Sequence, residues 1–139
     1  MIIIIIITVI IGLFFSFAIY MSWKKRKIAG LFRQMKLSGE VFIITPEFAS
    51  FRGATSTYGR VKCDGVIGLT DRKVVFMPLV GKKMEIALES MKDVTEEKNF
   101  LGSYRAGMSF LVLHDSNLDI GFFVKDNIKW QNALSGIIK

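Results

Sequence analysis

The chain opens with a run of apolar residues that carries no charge from position 2 to position 23. As a helix rising about 1.5 Å per residue, this run is about 33 Å long, enough to cross the hydrocarbon core of a bilayer. Isoleucine usually favours strands, but a lone segment in lipid can satisfy its backbone groups only as a helix. Each central Ile or Phe favours insertion by about 0.3 to 0.6 kcal/mol. The run therefore predicts a transmembrane helix over residues 1–23.

Two other interpretations of this run are a cleaved signal peptide and a buried core helix. A signal peptide has basic residues before a shorter apolar segment and small residues at a cleavage site, and this sequence shows neither. A core helix is usually shorter and has a polar face. Tyr20 and Trp23, near the end of the run, are aromatic residues of the kind that prefers the membrane–water interface. We therefore expect the run to be retained as an anchor.

Four consecutive basic residues follow the run and are called here the basic collar: Lys24, Lys25, Arg26 and Lys27. By the positive-inside rule, the collar predicts a single-pass protein whose amino terminus is outside and whose remaining residues are cytoplasmic. Each basic side chain near an anionic leaflet contributes about 1 kcal/mol of attraction. Whether the collar only sets topology or also binds anionic lipid headgroups stays open at this point.

The charge of the chain is concentrated near the anchor. Six basic residues and no acidic residue lie in positions 1–39, so this part carries +6 of the formal charge of +7. The remaining residues are nearly neutral, whereas a nucleic-acid-binding domain carries its basic residues as a face or stripe on the folded module. We therefore expect no nucleic-acid partner. The single cysteine, Cys63, excludes an intramolecular disulfide and fits a reducing compartment.

Residues 24–39 form a second predicted segment. The apolar residues Ile28, Leu31, Phe32 and Met35 recur at helical spacing, which predicts a basic, amphipathic juxtamembrane helix ended by Gly39. Such a helix would either lie on the headgroups or continue the anchor and pack on the following domain. About 100 residues remain, which is one small domain at 40–139.

The domain is predicted to be mainly β. Short apolar or alternating runs are separated by turn residues, without intervening helices, which is typical of an antiparallel barrel or sandwich. Pro46 is expected to end the first strand, and Asp64-Gly65 is expected to be a turn. The strands are predicted at 41–44, 48–51, 58–63, 65–69, 73–77, 84–88, 91–95, 108–114 and 118–124.

The last segment changes to helical periodicity. Asp126 is a suitable N-cap, and Trp130, Ala133, Leu134 and Ile137 follow at spacings of three, four and seven residues. This pattern predicts one amphipathic helix of about three turns. Its tryptophan is large enough to close an open end of a barrel.

Residues 65–78, GVIGLTDRKVVFMP, resemble the "G-x-L-x-L-T-x-x-R/K-h-h-F-x-P" core of GRAM and related bacterial PH-like domains, where h is apolar. Residues 85–94 resemble the "e-I-p-L-x-x-I-x-x-V" segment, and residues 130–134 resemble the "W-x-x-x-L" of the closing helix. The resemblance covers about residues 40–138 and implies a strongly bent antiparallel barrel of about seven strands, capped by the C-terminal helix. It implies no particular ligand, because this fold serves lipid-binding, peptide-binding and structural roles.

Motifs that would indicate catalysis or metal binding are missing from the sequence. We find no nucleophile elbow, zinc-protease, dinucleotide or P-loop motif, and His114 is interpreted as structural. Residues 115–126 begin like a calcium loop, but the glycine is at position 7 and the last ligand is Asp rather than Glu. We therefore expect no enzyme activity, no catalytic residue, no cofactor and no metal.

Four basic turn residues are the remaining candidates for a binding site: Arg72, Lys73, Lys82 and Lys83. The resemblance implies that two tight turns bring them to one rim, as basic loops do in lipid-binding PH domains. Ordinary solvated lysines are the alternative. We expect a non-enzymatic anchored module that docks to anionic headgroups or to a protein partner at the membrane surface. The second hypothesis is an accessory subunit of a larger membrane complex, with a purely structural PH-like domain.

Overall fold

A computed structural model of the chain describes residues 1–55, 62–104, 106–116 and 118–138. Its first element is one continuous helix, α1 (Ile2–Leu37). The helix is long and apolar enough to cross a membrane, and none of its most apolar stretch is buried in the protein. A core helix of a soluble protein would be mostly buried, so the predicted apolar helix is present and the core-helix interpretation is wrong.

Within the described ranges, seven strands form one antiparallel sheet in the order β4 (Met84–Ala87), β3 (Lys73–Pro78), β2 (Cys63–Thr70), β1 (Phe42–Ala54), β9 (Asp119–Val124), β8 (Phe110–Asp115) and β5 (Met91–Glu97). The sheet and the C-terminal helix α2 (Asn127–Ile137) confirm the predicted mainly β architecture of about seven antiparallel strands with a C-terminal helix. A 3-10 turn (Leu88–Ser90) joins β4 to β5. A separate small hairpin consists of β6 (Asn99–Phe100) and β7 (Ser103–Tyr104).

Strand β1 differs from the sequence prediction because Pro46 does not end it. The pairing of β1 with β2 shifts register between Ile44 and Glu47, so the proline lies at an irregularity where no ladder hydrogen bond is required. The predicted turn at Asp64-Gly65 is also wrong, since both residues lie within β2. The strand predicted at 58–63 falls largely outside the described residues.

The turn between β2 and β3 is built around the Thr70 side chain. This hydroxyl accepts hydrogen bonds from the backbone N–H groups of Arg72 (3.2 Å) and Lys73 (3.1 Å). It also donates to the Lys73 carbonyl at 3.2 Å. Thr70 is almost fully buried, so these local bonds satisfy a hydroxyl that has lost access to water. The turn is therefore specified by one side chain.

The core lies between the inner faces of the bent sheet and helix α2. Phe51, Phe76 and Phe122 form an aromatic group with ring centroids 5.2 to 6.1 Å apart. Trp130 of α2 is fully buried against this core, and its indole N–H donates to Glu47 Oε1 at 2.7 Å. Asp126 caps α2 by accepting from the Lys129 N–H. The prediction of a capping helix whose tryptophan closes the barrel is confirmed.

The second half of α1 packs on the outer face of β2 and β3. Met35 is buried there with Val66 and Val75, and the partly buried Ile28, Leu31 and Phe32 lie around them. Of the two placements predicted for this segment, it therefore continues the anchor helix and packs on the domain. Because no break separates residues 2–23 from residues 24–37, the apolar helix and the β domain are joined by a packed interface.

Candidate membrane-facing groove

The collar residue Lys24 forms the polar end of the interface between α1 and the sheet. Its ammonium lies 2.7 Å from Asp64 Oδ2 and 5.8 Å from the centre of the Phe48 ring. The Ser50 hydroxyl donates to the other oxygen of Asp64 at 2.9 Å. Burial alone would raise the pKa of Asp64, but the hydrogen bonds from Lys24 and Ser50 outweigh it and lower that pKa below its ordinary value. The carboxylate is therefore charged and paired at neutral pH.

This pair predicts an acid-dependent weakening of the interface. Because the pKa of Asp64 is depressed in the folded state, its stabilising contribution is present above the unfolded pKa near 3.8 and is lost as pH falls through the folded pKa. We expect the drop in unfolding temperature between pH 6 and pH 3, measured in detergent, to be smaller in Asp64→Asn than in the natural chain. The expected contribution is about 1 kcal/mol, as for a solvent-accessible pair. An equal drop in unfolding temperature between pH 6 and pH 3 in the two proteins would contradict this prediction.

The interface also shows which end of the domain is nearest the apolar part of α1. Tyr20 and Trp23 line one cavity of about 480 Å³ together with Leu79 and Val80, which follow β3. Leu37, at the other end of α1, lies about 20 Å further along the helix axis. The β3–β4 loop is therefore at the end near Trp23, called here the proximal end, and the β2–β3 turn is at the opposite, distal end.

The four predicted turn residues come from two turns, and the side chains of two of them meet at one carboxylate. Along β3 the backbones of the β2–β3 turn and the β3–β4 loop are about 17 to 20 Å apart, but the Lys73 and Lys83 ammonium groups contact the same Glu85 oxygen, at 3.1 and 2.9 Å. In an antiparallel meander, consecutive turns lie at opposite ends of the sheet. The arrangement of all four residues on one rim, and a binding role for any of them, therefore stay predictions.

Two of these lysines form ion pairs. Lys73 lies 2.8 Å from Glu40 and 3.1 Å from Glu85, and Lys83 lies 2.9 Å from the same Glu85 oxygen. Hydrogen bonds from Lys83 and Lys73 lower the pKa of Glu85, so this carboxylate is charged over the neutral range. Arg72 and Lys82 have no ion pair with any described residue.

The other collar residues point away from the domain interface. Lys25, Arg26 and Lys27 are exposed, and at 100° per residue Arg26 lies opposite the docked positions 24 and 28. Lys27 lies 5.7 Å from the centre of the Trp23 ring. Three of the four collar residues are thus accessible, whereas Lys24 is committed to Asp64.

A groove of about 590 Å³ continues from the proximal cavity across the outer face of β1 and β9. The groove and the proximal cavity share Ser50, Arg52 and Asp64, and the groove extends further to Phe123 and Lys125. The Arg52 guanidinium lies 5.1 Å from the centre of the Phe123 ring. Its Nε atom is buried without a hydrogen-bond partner in the described part of the chain. This groove combines an apolar floor with basic side chains, and the sequence analysis did not identify it.

His114 connects three strands on the sheet. Its Nε2 lies 2.7 Å from the Thr95 hydroxyl of β5, and its Nδ1 lies 2.7 Å from Asp119 Oδ1 of β9. Both ring nitrogens are therefore satisfied by cross-strand partners. Among the residues that the structure describes, no cluster of three His, Cys, Asp or Glu residues could hold a metal ion. Cys63 is half-buried, and burial raises the pKa of its thiol, so the thiolate is disfavoured.

Comparison with known proteins identifies no relative by sequence. No family model matches the chain, and no curated protein matches it, so the GRAM resemblance stays a prediction. Among solved structures, the C-terminal domain of an unknown protein from Leishmania infantum is similar, with 17% identity and a TM-score of 0.48 over 81% of this chain and 99% of that chain. The N-terminal PH domain of Vps36 is similar with 15% identity and a TM-score of 0.43, over 72% and 80% of the two chains.

Proposed function

We propose that this protein is a non-enzymatic, single-pass membrane protein that holds a PH-like module against the membrane and docks it to anionic lipid headgroups. The observation that carries the proposal is the packed continuation of α1 onto β2 and β3. Since Trp23 marks the end of the apolar run, this packing keeps the proximal end of the domain close to the headgroups. The three accessible collar residues and Lys82 then lie on the same side as the leaflet.

The proposal includes an orientation and a set of boundaries. The exposed collar favours a cytoplasmic domain and an external amino terminus. The span covers residues 1–23, the basic helix 24–39 connects it to the module, and the module covers 40–139. In its finer form the module is of the GRAM type, on the sequence resemblance of residues 65–78.

We expect the two ends of the domain to lie at different distances from a bilayer. Nitroxide labels at Val80→Cys (proximal) and Glu89→Cys (distal), each with Cys63→Ser, would be measured in nanodiscs by their collisions with oxygen and with a water-soluble nickel complex. Both positions are exposed, so both accept a label. We expect the proximal label to collide more often with oxygen, which concentrates in the bilayer, and the distal label to collide more often with the nickel complex, which stays in water. Equal access of nickel to both labels would contradict the proposed placement.

The same labels test docking to charge. Adding anionic lipid should draw the proximal label closer to the bilayer. Lys82→Glu should weaken the attraction between the domain and the anionic leaflet by about 2 kcal/mol, because an attractive basic contact becomes a repulsive one, and the label should then move less. Arg72→Glu is the matched control, since Arg72 is exposed at the distal end. A response that ignores lipid charge, or equal effects of the two variants, would contradict headgroup docking.

A role as an accessory subunit of a membrane complex is the second candidate. Three exposed apolar side chains at the distal end, where α1 ends and β1 begins, favour this role. They are Leu37, Val41 and Ile43, which are 78%, 83% and 51% exposed. A partner protein that covers them would copurify in a fixed ratio with the detergent-extracted chain. That result, together with charge-independent label depth, would favour this second function.

A further inference from the structure

The groove on β1 and β9 has an excess of positive charge once its ion pairs are counted. Glu47 accepts from Lys129 at 2.6 Å and from the Trp130 indole at 2.7 Å. Asp64 accepts from Lys24 at 2.7 Å. Both acidic groups of the groove are therefore neutralised by partners within the protein.

The two remaining basic groups of the groove are Arg52, whose charge also helps to lower the pKa of Asp64, and Lys125. Arg52 and Lys125 form no ion pair with any residue in the ranges 1–55, 62–104, 106–116 and 118–138. The guanidinium carbon of Arg52 lies 5.1 Å from the centre of the Phe123 ring, and its buried Nε has no acceptor among the described residues. A buried donor without an acceptor is unfavourable, so this site is suited to an anion that supplies one.

The surroundings of these cations suit an amphiphile better than a small ion. Phe48 and Met108 line the groove and are 45% and 42% exposed, so apolar surface lies open beside the guanidinium. A volume of about 590 Å³ is within the range of small-molecule sites, about 300 to 1,000 Å³. At Arg52 the groove joins the cavity lined by Tyr20 and Trp23. Its opening therefore lies at the end of the apolar helix.

We infer that the groove binds one anionic glycerophospholipid from the leaflet next to the collar, with its phosphate on Arg52 and its headgroup towards Lys125. The acyl chains remain in the bilayer along the Tyr20 and Trp23 side of α1. This inference rests on the proposed function and names the ligand class and a site that is separate from Lys82 and the collar. The lipid completes the interface between helix and domain, in addition to any contact with the bulk headgroups.

The test uses the full-length chain in nanodiscs that contain phosphatidylcholine and phosphatidylglycerol. After gentle release from the nanodisc, native mass spectrometry counts the lipids that stay bound. We expect one phosphatidylglycerol per chain, and an occupancy lowered about tenfold or more by Arg52→Gln, since a guanidinium–phosphate contact is charge-assisted. Arg72→Gln is the matched control and should retain the lipid.

Further variants keep the test decisive if Arg52→Gln disturbs folding. Lys125→Gln changes an exposed residue without an ion pair in the described chain, and we expect it to reduce retention by a smaller factor. Arg52→Lys keeps the charge and should restore part of the retention. Equal retention by all variants would overturn the inference. Displacement of the lipid by millimolar inorganic phosphate would also overturn it, because the site would then select a free anion.

The inference and the proposed function fail in different measurements. Label depth reports where the domain lies, whereas lipid retention reports whether Arg52 holds a phosphate. Normal depth without a retained lipid would overturn only the groove site. If the lipid is retained but both labels are in water, the proposed placement of the domain against the membrane is wrong. The inferred route of the acyl chains along Tyr20 and Trp23 would then be wrong as well.

Discussion

Replacing Gly65 with Ala is expected to destabilise the domain by about 3 kcal/mol, near the upper end for overpacking. A Cβ atom at Gly65 would overlap the Met77 carbonyl oxygen and lie 2.8 Å from Pro78 Cα. Both atoms belong to the backbone of β3, which is paired with β2 at this point, so neither can move aside without breaking the ladder. Thermal unfolding of the full chain in detergent, followed by far-ultraviolet circular dichroism, measures the effect.

Gly30→Ala is the matched control for this substitution. A Cβ atom at Gly30 has no neighbour within 4 Å, and the residue lies inside helix α1. Alanine is favoured over glycine in a helix by about 0.5 to 1 kcal/mol, so we expect this variant to be neutral or slightly more stable. If both variants unfold at the same temperature, the close approach of β2 and β3 at Gly65 is wrong.

Replacing Trp130 with Ala is expected to cost about 3 to 5 kcal/mol, the range for removing a large aromatic side chain from a core. Trp130 is fully buried between α2 and the sheet, and its loss also removes a hydrogen bond to Glu47. For a domain of this size, each kcal/mol lowers the unfolding temperature by about 4 °C or more. The Trp130→Ala transition should therefore be at least about 12 °C lower.

Two further variants separate the contributions of Trp130. Trp130→Phe keeps most of the buried surface but removes the indole N–H, so we expect a smaller loss of about 1 to 2 kcal/mol. Ile128→Ala changes a residue on the same helix that is 67% exposed, and its effect should be within about 0.5 kcal/mol. A Trp130→Ala protein as stable as Ile128→Ala would show that α2 does not close the barrel.

Local sequence signals were sufficient wherever one segment determines its own structure. The Asp126 cap and the helical spacing of Trp130 and Leu134 predicted α2, and the gap between the strands predicted at 65–69 and 73–77 contains the Thr70 turn. Pro46 was misleading because the strand accommodates it at a register shift, which depends on the pairing partner. The hairpin β6–β7 was missed because two strands of two residues carry no periodicity.

The groove could not be predicted from the sequence for a related reason. Arg52 lies in β1 and Lys125 directly follows β9, so the two residues are far apart in the chain and become neighbours only through the pairing of β1 with β9. Asp64 was interpreted as a turn residue, so its pair with Lys24 was hidden as well. The predicted basic turns are present, but the meeting of Lys73 and Lys83 at one Glu85 oxygen depends on the pairing of β3 with β4.

Under the proposed membrane anchoring, the uninterrupted course of α1 would make the position of the domain depend on bilayer thickness. The helix contains no proline, so a change in its tilt is transmitted as the movement of a rigid lever. An apolar segment tilts more as the hydrocarbon layer becomes thinner, and a tilt of about 20° displaces a point 20 Å along the axis sideways by roughly 7 Å. Membranes of different thickness would therefore present different side chains of the same domain to their lipids.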